Sequence, residues 1–508
     1  MDDYKISWKP AKNISEREYE EYSSLFNENY GTWSSNKQPV KRTSSQLKGY
    51  LKAAESWVAN VNYCQENKVI GYAFFYRLHL ENKGYVTWVT QFVIRKEHRN
   101  KGLGTRLLRA IWSQSNQYAW GLVTANPFAI RSLEKATLRT CDFNYIQKEW
   151  SSLHTLISDC LEYVTGCPKM LRTNSTAINT NFFLDRAPTI FARNELSNSG
   201  KKWTLGELED GEEWVAFTFR EQAVSKEAPN LVKTWISDCD YTVKNAYGYM
   251  SLDENHKWNK HTEHEIDMFV NYNTSQNSLI FDVGCGNGRH SIELAKRNFR
   301  VVGVDFTEEL IECCKKNAKE QAENYQNNLE FICVDIREYK PEKQFDYAIC
   351  LYDVIGSFAS QEDNIKVLKT IFNSLKKRGK LLLSVMNGEL SRSKARHIAK
   401  SENELFEQLL TIEPSNTMAS TGNIFNPMYY IWCDGVAYRK EQFESDFIAP
   451  CELIVRDRRY SKDELIGVLN EVGFDVISAK YVKTADWSNE LDALNDRAKE
   501  ILLLCEKN

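Results

Sequence analysis

No stretch of this 508-residue chain approaches the ~20 consecutive apolar residues that a membrane-spanning helix needs. The expectation is a protein with no membrane partner. The opening residues, MDDYKISWKPAKNISEREYEEY, are acidic and lack an apolar core, so no secretory leader is expected. Cys-x-x-Cys is missing although the chain has 13 cysteines, which speaks against a zinc ribbon or a thioredoxin-like site. The odd count and the scatter, with Cys313 and Cys314 adjacent, fit reduced thiols in a cytoplasmic protein. Neither sign of charge is in large excess. A net charge of −4 gives no global drive toward DNA or an anionic membrane, although a local basic patch is compatible with it. Internal repeats and low-complexity segments are missing too.

What is present is a globular composition, 42% hydrophobic and 26% charged, with length enough for about two to four domains. Strand and helix patterns alternate, so the fold class is α/β. Residues 15–28 and 44–63 are expected as helices. Residues 69–80 and 85–94 are expected as an antiparallel hairpin. A helix over 103–115, a strand over 120–125 and a helix over 127–138 follow. Residues 166–225, with AINTNFFLDRAPTIFARNEL and EEWVAFTFREQ, suggest a small β-rich connector. From about 226, repeated β-α-β patterning predicts a parallel sheet covered on both faces, with an irregular insertion over 389–450. The expected domains are therefore 1–165, the connector 166–225, and 226–508.

Residues 279–290 read LIFDVGCGNGRH. An apolar strand runs directly into Asp282, Gly284, Gly286 and Gly288. Glycines there permit tight turning and let the backbone approach a ligand. Asp305 ends the next strand, VVGVD, where a carboxylate can accept hydrogen bonds from both hydroxyls of a ribose. The spacing is not the G-x-G-x-x-G of dinucleotide sites. It resembles motif I of the class I S-adenosylmethionine-dependent methyltransferases, over roughly 240–508. The resemblance implies a Rossmann-like domain that binds S-adenosylmethionine, with Asp335 and Ile336 of FICVDIRE near the adenine. It also implies that FDYAICLYDVIGSF is the fourth strand, with Leu351 at its end lining the cofactor, followed by the active-site loop. LKKRGKLLLSVMN matches the family's fifth strand.

Tyr352 and Asp353, after that strand, are the substrate-side candidates for catalysis. The loop lacks the Asn-Pro-Pro-Tyr-type motif of DNA and glutamine amino-methyltransferases. A small-molecule acceptor is expected and DNA is not; tRNA or protein acceptors stay open. His256, His261 and His264 (HKWNKHTEH) precede motif I. Their spacing suits a metal or a general base, but a solvated or substrate-lining helix is the more ordinary reading. No metal is expected, and His261 is kept as a catalytic candidate. Tyr247, Tyr249, Trp258, Tyr429, Tyr430 and Trp432 are aromatic candidates for pocket walls or for local core.

The second glycine loop comes earlier. Residues 93–109 read VIRKEHRNKGLGTRLLR. A strand ending in Val93 and Ile94 meets a basic turn, Arg99-Asn100-Lys101-Gly102-Leu103-Gly104-Thr105, that opens a helix. This resembles motif A of the GNAT N-acetyltransferases, whose backbone N–H groups wrap the pyrophosphate of an acyl-CoA. NPFAIRSLEKA resembles that family's motif B, with Asn126 and Ala129 in register. The resemblance covers about 1–150 and implies a mixed-sheet domain that binds acetyl-CoA or another acyl-CoA. The family's frequent thiolate-protonating Tyr falls on Leu133, and the central strand carries no carboxylate. Tyr145, Glu134, Glu81 or a water chain would have to substitute. The expected function is bifunctional group transfer, with S-adenosylmethionine-dependent methylation and acyl-CoA-dependent N-acylation. The alternative is a methyltransferase whose GNAT-like domain only binds acyl-CoA or recognises the substrate.

Overall fold

The computed structural model describes residues 3–508 except 52–54, 67, 113–116, 159–163, 165, 239, 253–259, 272–274, 276 and 423–424. His256 and Trp258 therefore lie outside the described residues. The chain forms two units: Met1–Thr242 with Gln442–Leu453, and Val243–Glu441 with Ile454–Asn508.

The first unit is built on strands β1 (Tyr4–Pro10), β2 (Ser56–Tyr63), β3 (Lys68–Leu80), β4 (Gly84–Ile94), β5 (Gln117–Thr124), β6 (Ala177–Asn179) and β7 (Glu212–Phe219). Among the described residues they form one sheet in the order β1-β2-β3-β4-β5-β7-β6. The expected hairpin is β3–β4, antiparallel; β4 and β5 run parallel. The expectation of a helix over 44–63 is corrected. Thr43 and Gln46 form a capping box for a short helix, Ser44–Lys48. Residues 56–63 then pair with β1 and β3 on either side, because their aromatic and β-branched residues suit a half-buried pleat. Where the β-rich connector is expected, β6 and β7 extend this same sheet and Ala187–Asn198 is a helix. The helix Glu16–Asn29, capped by Ser15 and Glu18, buries Tyr19, Tyr22, Leu25 and Phe26 against Val58, Tyr72, Phe74 and Val93 of the sheet.

The second unit alternates strands with helices. Its main strands are β8 (Leu279–Val283), β9 (Arg300–Asp305), β10 (Leu329–Cys333), β11 (Phe345–Cys350) and β12 (Leu375–Met386). The insertion holds β13 (His397–Ile398), β14 (Ile431–Cys433), β15 (Val436–Ser445) and β16 (Ile448–Arg458), a separate sheet in that order, of which Gln442–Leu453 counts with the first unit. Last come β17 (Phe474–Lys483), β18 (Asp486–Leu491) and β19 (Glu500–Lys507). The main sheet runs β10-β9-β8-β11-β12-β19-β17-β18. The first five strands are parallel, and β19 is antiparallel to β12. Alternate residues enter different cores. Phe281 and Val283 lie in one and Ile280 lies in the other. Burial of both faces is why these strands read as unbroken apolar runs. The order turns back between β8 and β11, and ligands of open α/β sheets bind in the crevice at such a point.

Candidate functional sites

In the second unit, β8 ends at the crevice and the chain turns through Gly284, Gly286 and Gly288, with φ of 72°, 56° and 82°. A side chain would be strained at each. Gly284 also has no room for one, since a Cβ would meet Val354 Cγ2 at 2.5 Å. A Cβ on Gly286 would meet nothing within 4 Å, so this peptide faces open space and its close approach is available to a ligand. Asp282 is buried and accepts a hydrogen bond from Ser291 Oγ at 2.6 Å. This ties the strand to the helix Arg289–Lys296.

Asp305 follows from β9 and closes on the loop. Its Oδ2 accepts from the Gly286 N–H at 3.1 Å and its Oδ1 from Thr307 N–H at 3.0 Å. The Thr307 side chain and the Phe306 N–H also lie against it. Burial pushes this carboxyl up to about 6, against the pull of those backbone N–H groups. These residues fit a nucleoside: an open glycine peptide, an acceptor pair at the strand end, and Leu351 at the end of β11. Asp335 lies two residues beyond β10 and is held by Arg337 at 2.7 Å. Ile336 packs on the core beside it.

Tyr352 adopts φ of 63°, a costly conformation for an aromatic residue that a folded scaffold must impose. Its hydroxyl donates to Glu265 Oε1. Glu265 also pairs with Arg289 Nη1 at 2.7 Å and lies 2.7 Å from His290 Nε2. Although burial opposes ionisation, His290, Arg289 and the Tyr352 hydroxyl hold this carboxyl down at about 2. It is a fixed anion and not a proton acceptor. Burial keeps the Tyr352 phenol well above its usual range. Glu500, wholly buried at the start of β19, accepts from Trp487 Nε1 at 3.1 Å. Burial pushes its carboxyl up to about 7.

Asp353 is turned the other way. Arg459 binds it and also Asp457 at 2.9 Å. Arg439 joins Asp457 at 2.6 Å and Glu441 at 3.0 Å and donates to the Tyr247 hydroxyl. Tyr430 lies beneath the Arg439 guanidinium at 5.3 Å. Tyr247 and Tyr430 thus belong to a buried ionic network that anchors the insertion beside the loop after β11. Tyr249 instead donates to Glu309 at 2.8 Å. His264, on the helix Thr262–Val270, and His261, just before it, are exposed, while the helix buries Glu265, Ile266 and Phe269. No group of three metal-ligating side chains occurs among the described residues. Glu265, His290 and Glu500 escaped sequence reading. None carries a local signal in the sequence, and only the fold brings 265, 290 and 500 together.

In the first unit, the pairing of β4 with β5 runs from Tyr85–Gln117 to Val89–Leu122 and stops. Beyond it Thr90–Ile94 and Val123–Thr124 part, while β5 stays paired with β7 as far as Thr124–Trp214. A bulge at Thr90 interrupts the β3–β4 register at the same place. The result is a wedge in which β4 beyond Val89 keeps its pairing with β3 but has lost β5, suited to the extended, amide-bearing arm of an acyl thioester. At its mouth Asn100 and Gly102 have φ of 62° and 75°. Gly102 faces open space and precedes the helix Leu103–Arg109, which no side chain caps. The Arg99 side chain points inward, to the carbonyls of Ile94 at 2.9 Å and of Asn29. It shapes the turn, leaving the backbone N–H groups for a phosphate. Lys101 is exposed with its Nζ 3.0 Å from Tyr4 Oη. Gly104 lets its helix approach the strand: a Cβ would lie 3.0 Å from Phe92 Cζ. Asn126 caps the helix Pro127–Thr137 through Phe128 N–H.

Leu133 is fully buried in that helix. Tyr145 is exposed and stacks on Phe219 at 6.0 Å. Glu134 is held by Lys201 at 2.9 Å and accepts from Cys141 N–H at 3.0 Å. Glu81 is exposed in the β3–β4 turn. None of the described helices is long and apolar enough to cross a membrane.

Comparison with known proteins finds a family match in each unit. Residues 17–136 match the acetyltransferase (GNAT) family and residues 274–431 match a methyltransferase domain family. The chain is similar to carboxy-S-adenosyl-L-methionine synthase of Histophilus somni, at 28% identity over 125 residues, 23% of this chain and 49% of that protein. It is similar to ubiquinone biosynthesis O-methyltransferase of Coxiella burnetii, at 33% identity over 115 residues, 22% of this chain and 46% of that protein. The chain spans about half the length of the curated relatives it matches. A solved S-adenosylmethionine-dependent methyltransferase from Clostridium acetobutylicum is 16% identical, covering 55% of this chain and 99% of that one at a TM-score of 0.33. The chain thus joins a domain of the acetyltransferase (GNAT) family, over residues 17–136, to a methyltransferase domain, over residues 274–431.

Proposed function

We propose that the chain is a bifunctional group-transfer enzyme. The second unit methylates a small-molecule acceptor with S-adenosylmethionine, and the first N-acylates an amine with acetyl-CoA or another acyl-CoA. The observation that carries the methyltransferase reading is the open Gly286 peptide closed by Asp305. The observation that carries the acyltransferase reading is the parting of β4 from β5 beyond Val89.

The sulfonium cofactor supplies an already activated methyl group, so the protein's work is alignment and exclusion of water. Asp305 and the glycine loop hold the nucleoside end. Tyr352, fixed by Glu265 and Arg289, forms a rigid wall at the end of β11, and Glu500 is a proton acceptor placed behind it. The buried network of Asp353, Arg459, Asp457 and Arg439 sets the insertion that covers the acceptor. In the first unit, the backbone of the bulged β4 orients the thioester carbonyl, and the loop 99–105 offers N–H donors to its phosphates. A second reading, in which the first unit binds acyl-CoA without turning it over, has one specific support: buried Leu133 stands where a thiolate-protonating Tyr would be.

The test is calorimetric titration of the full chain with S-adenosylmethionine and, separately, acetyl-CoA. Both are expected to bind. Gly102→Val should remove acetyl-CoA binding by crowding the loop and leave S-adenosylmethionine affinity unchanged. Failure of either cofactor to bind the parent chain refutes the corresponding half.

A pH dependence follows from Asp305. Its carboxylate form accepts from ribose hydroxyls, and protonation removes acceptor capacity. With the carboxyl raised to about 6, affinity for S-adenosylmethionine should be full above that pH and fall below it. The loss should be about tenfold near pH 5, one unit lower. Calorimetry from pH 5 to pH 8 checks this, and a flat affinity would contradict the ribose assignment.

A further inference from the structure

Buried polar groups without partners gather on one face of the first unit's sheet. The register fixes which side chains share that face. Asn60 lies opposite Tyr72, Phe74 opposite Gln91, and Tyr76 opposite Trp88. Trp88 lies opposite Gly121 and Gly121 opposite Phe217, and the Trp88 and Phe217 rings are 5.3 Å apart. Glu213 and Phe217 are four residues apart on β7 and share this face. The helix Glu16–Asn29 covers it, with the Tyr22 and Tyr72 rings 4.9 Å apart.

The Tyr72 hydroxyl, the Gln91 amide oxygen and the Trp88 indole N–H are buried there with no hydrogen-bond partner, and beside them the Tyr22 hydroxyl and the Asn60 amide face only each other. Their residues are all less than 9% exposed. Unmade hydrogen bonds at buried atoms are costly, and three on one face call for an explanation. A carboxylate borders the same face. Glu213 is 6% exposed and accepts from Thr180 Oγ1 at 2.8 Å. Burial raises its carboxyl against the pull of Thr180 and Arg186, and burial together with its charge raises the Tyr30 phenol. The strand β4 that carries Trp88, Gln91 and Val93 also forms one wall of the wedge.

We propose that this face is the acyl-acceptor site, that it takes a small primary amine bearing neutral hydroxyl or amide groups, and that Glu213 receives the amine's proton. The inference rests on the reading of the first unit as an acyl-CoA-dependent acyltransferase. The lining of phenols, amides and an indole matches neutral hydrogen-bonding groups, and the carboxylate matches an ammonium. In the reaction the amine nitrogen forms a bond to the thioester carbonyl carbon as the carbon–sulfur bond breaks. Glu213 takes the nitrogen's proton, and the sulfur leaves with the electron pair and is protonated from solvent. Sequence reading sought a base on the central strand. The register places one on β7, outside the stretch that carries the family motifs.

The experiment uses the full chain, acetyl-CoA, and ethanolamine, D-glucosamine and L-serine amide as probes, with release of free CoA thiol as the rate readout. Acetyl-CoA should bind by calorimetry, and at least one amine should drive thiol release. Glu213→Gln should lower that rate by about 100-fold or more and leave acetyl-CoA affinity within about twofold. Tyr72→Phe, which deletes an unpartnered hydroxyl, should not lower the melting temperature and should raise KM for the amine about tenfold. Acetyl-CoA binding without thiol release from any probe, or a parent-like rate in Glu213→Gln, would overturn the acceptor site and leave the acyl-CoA reading standing. Absence of acetyl-CoA binding would overturn both.

Discussion

Arg439→Met should destabilise the second unit by about 3–5 kcal/mol, the usual cost of breaking a buried ion pair from one side. Arg439 is fully buried. Its Nε reaches Glu441 at 3.0 Å and its Nη1 reaches Asp457 at 2.6 Å. Methionine fills much of the volume but returns none of the charge. Asp457 would keep Arg459, and Glu441 would keep Ser415 Oγ at 3.0 Å and Met418 N–H at 3.1 Å. Those bonds stabilise the anions only in part, because the dielectric around them is low. The melting temperature should fall by roughly 10 °C for a unit of this size. The double variant Arg439→Met/Glu441→Leu should cost less than the sum of the singles, since the second change removes an anion that the first leaves unpaired. Differential scanning calorimetry of the three variants decides it. A loss below about 1 kcal/mol would mean that the network is hydrated and behaves as a surface one.

The same network shows what a sequence can and cannot display. The strand LIFDV, the glycines after it and the aspartate ending VVGVD are local signals, and β8, its loop and β9 lie where those signals point. Each depends on a periodicity or a turn requirement that a few adjacent residues satisfy by themselves. Arg439, Asp457, Arg459 and Asp353 look like ordinary surface charges in the sequence. Their burial follows from β15 and β16 folding over the loop after β11, which is a matter of tertiary register. Glu265 is a similar case: the histidines beside it drew the eye, but the helix turns them to solvent and buries the glutamate.

The first unit adds two further instances. SWVANVNY directly follows SSQLKGYLKAAE, and no turn signal separates the two in the sequence. The capping box at Thr43 makes only a short helix, and partners on both sides take residues 56–63 into the sheet. The wedge was invisible for a different reason. Nothing in YVTWVTQFVI announces that pairing with β5 ends at Val89; that depends on the bulge at Thr90 and on β7 holding the far edge of β5.

Asp305→Ala should weaken S-adenosylmethionine binding by about 2–3 kcal/mol, or roughly 30- to 150-fold. Two effects combine. The charged acceptor of the ribose hydroxyls is lost, and charge-assisted bonds are worth more than neutral ones. The Gly286 N–H also loses its partner at 3.1 Å, so the loop is held less firmly in the conformation the ligand needs. Asp305→Asn separates the two. Its amide keeps one oxygen for the Gly286 N–H but offers no charge and only one acceptor atom. Its affinity should fall between the parent and the alanine variant. Asn should also abolish the pH dependence between pH 5 and pH 8, because nothing remains at that position to titrate. Acetyl-CoA affinity should be unchanged in both variants, which serves as the folding control within each titration. Parent-like affinity in Asp305→Ala would remove the nucleoside from this strand end. A pH dependence that persists in Asp305→Asn would assign it to another group.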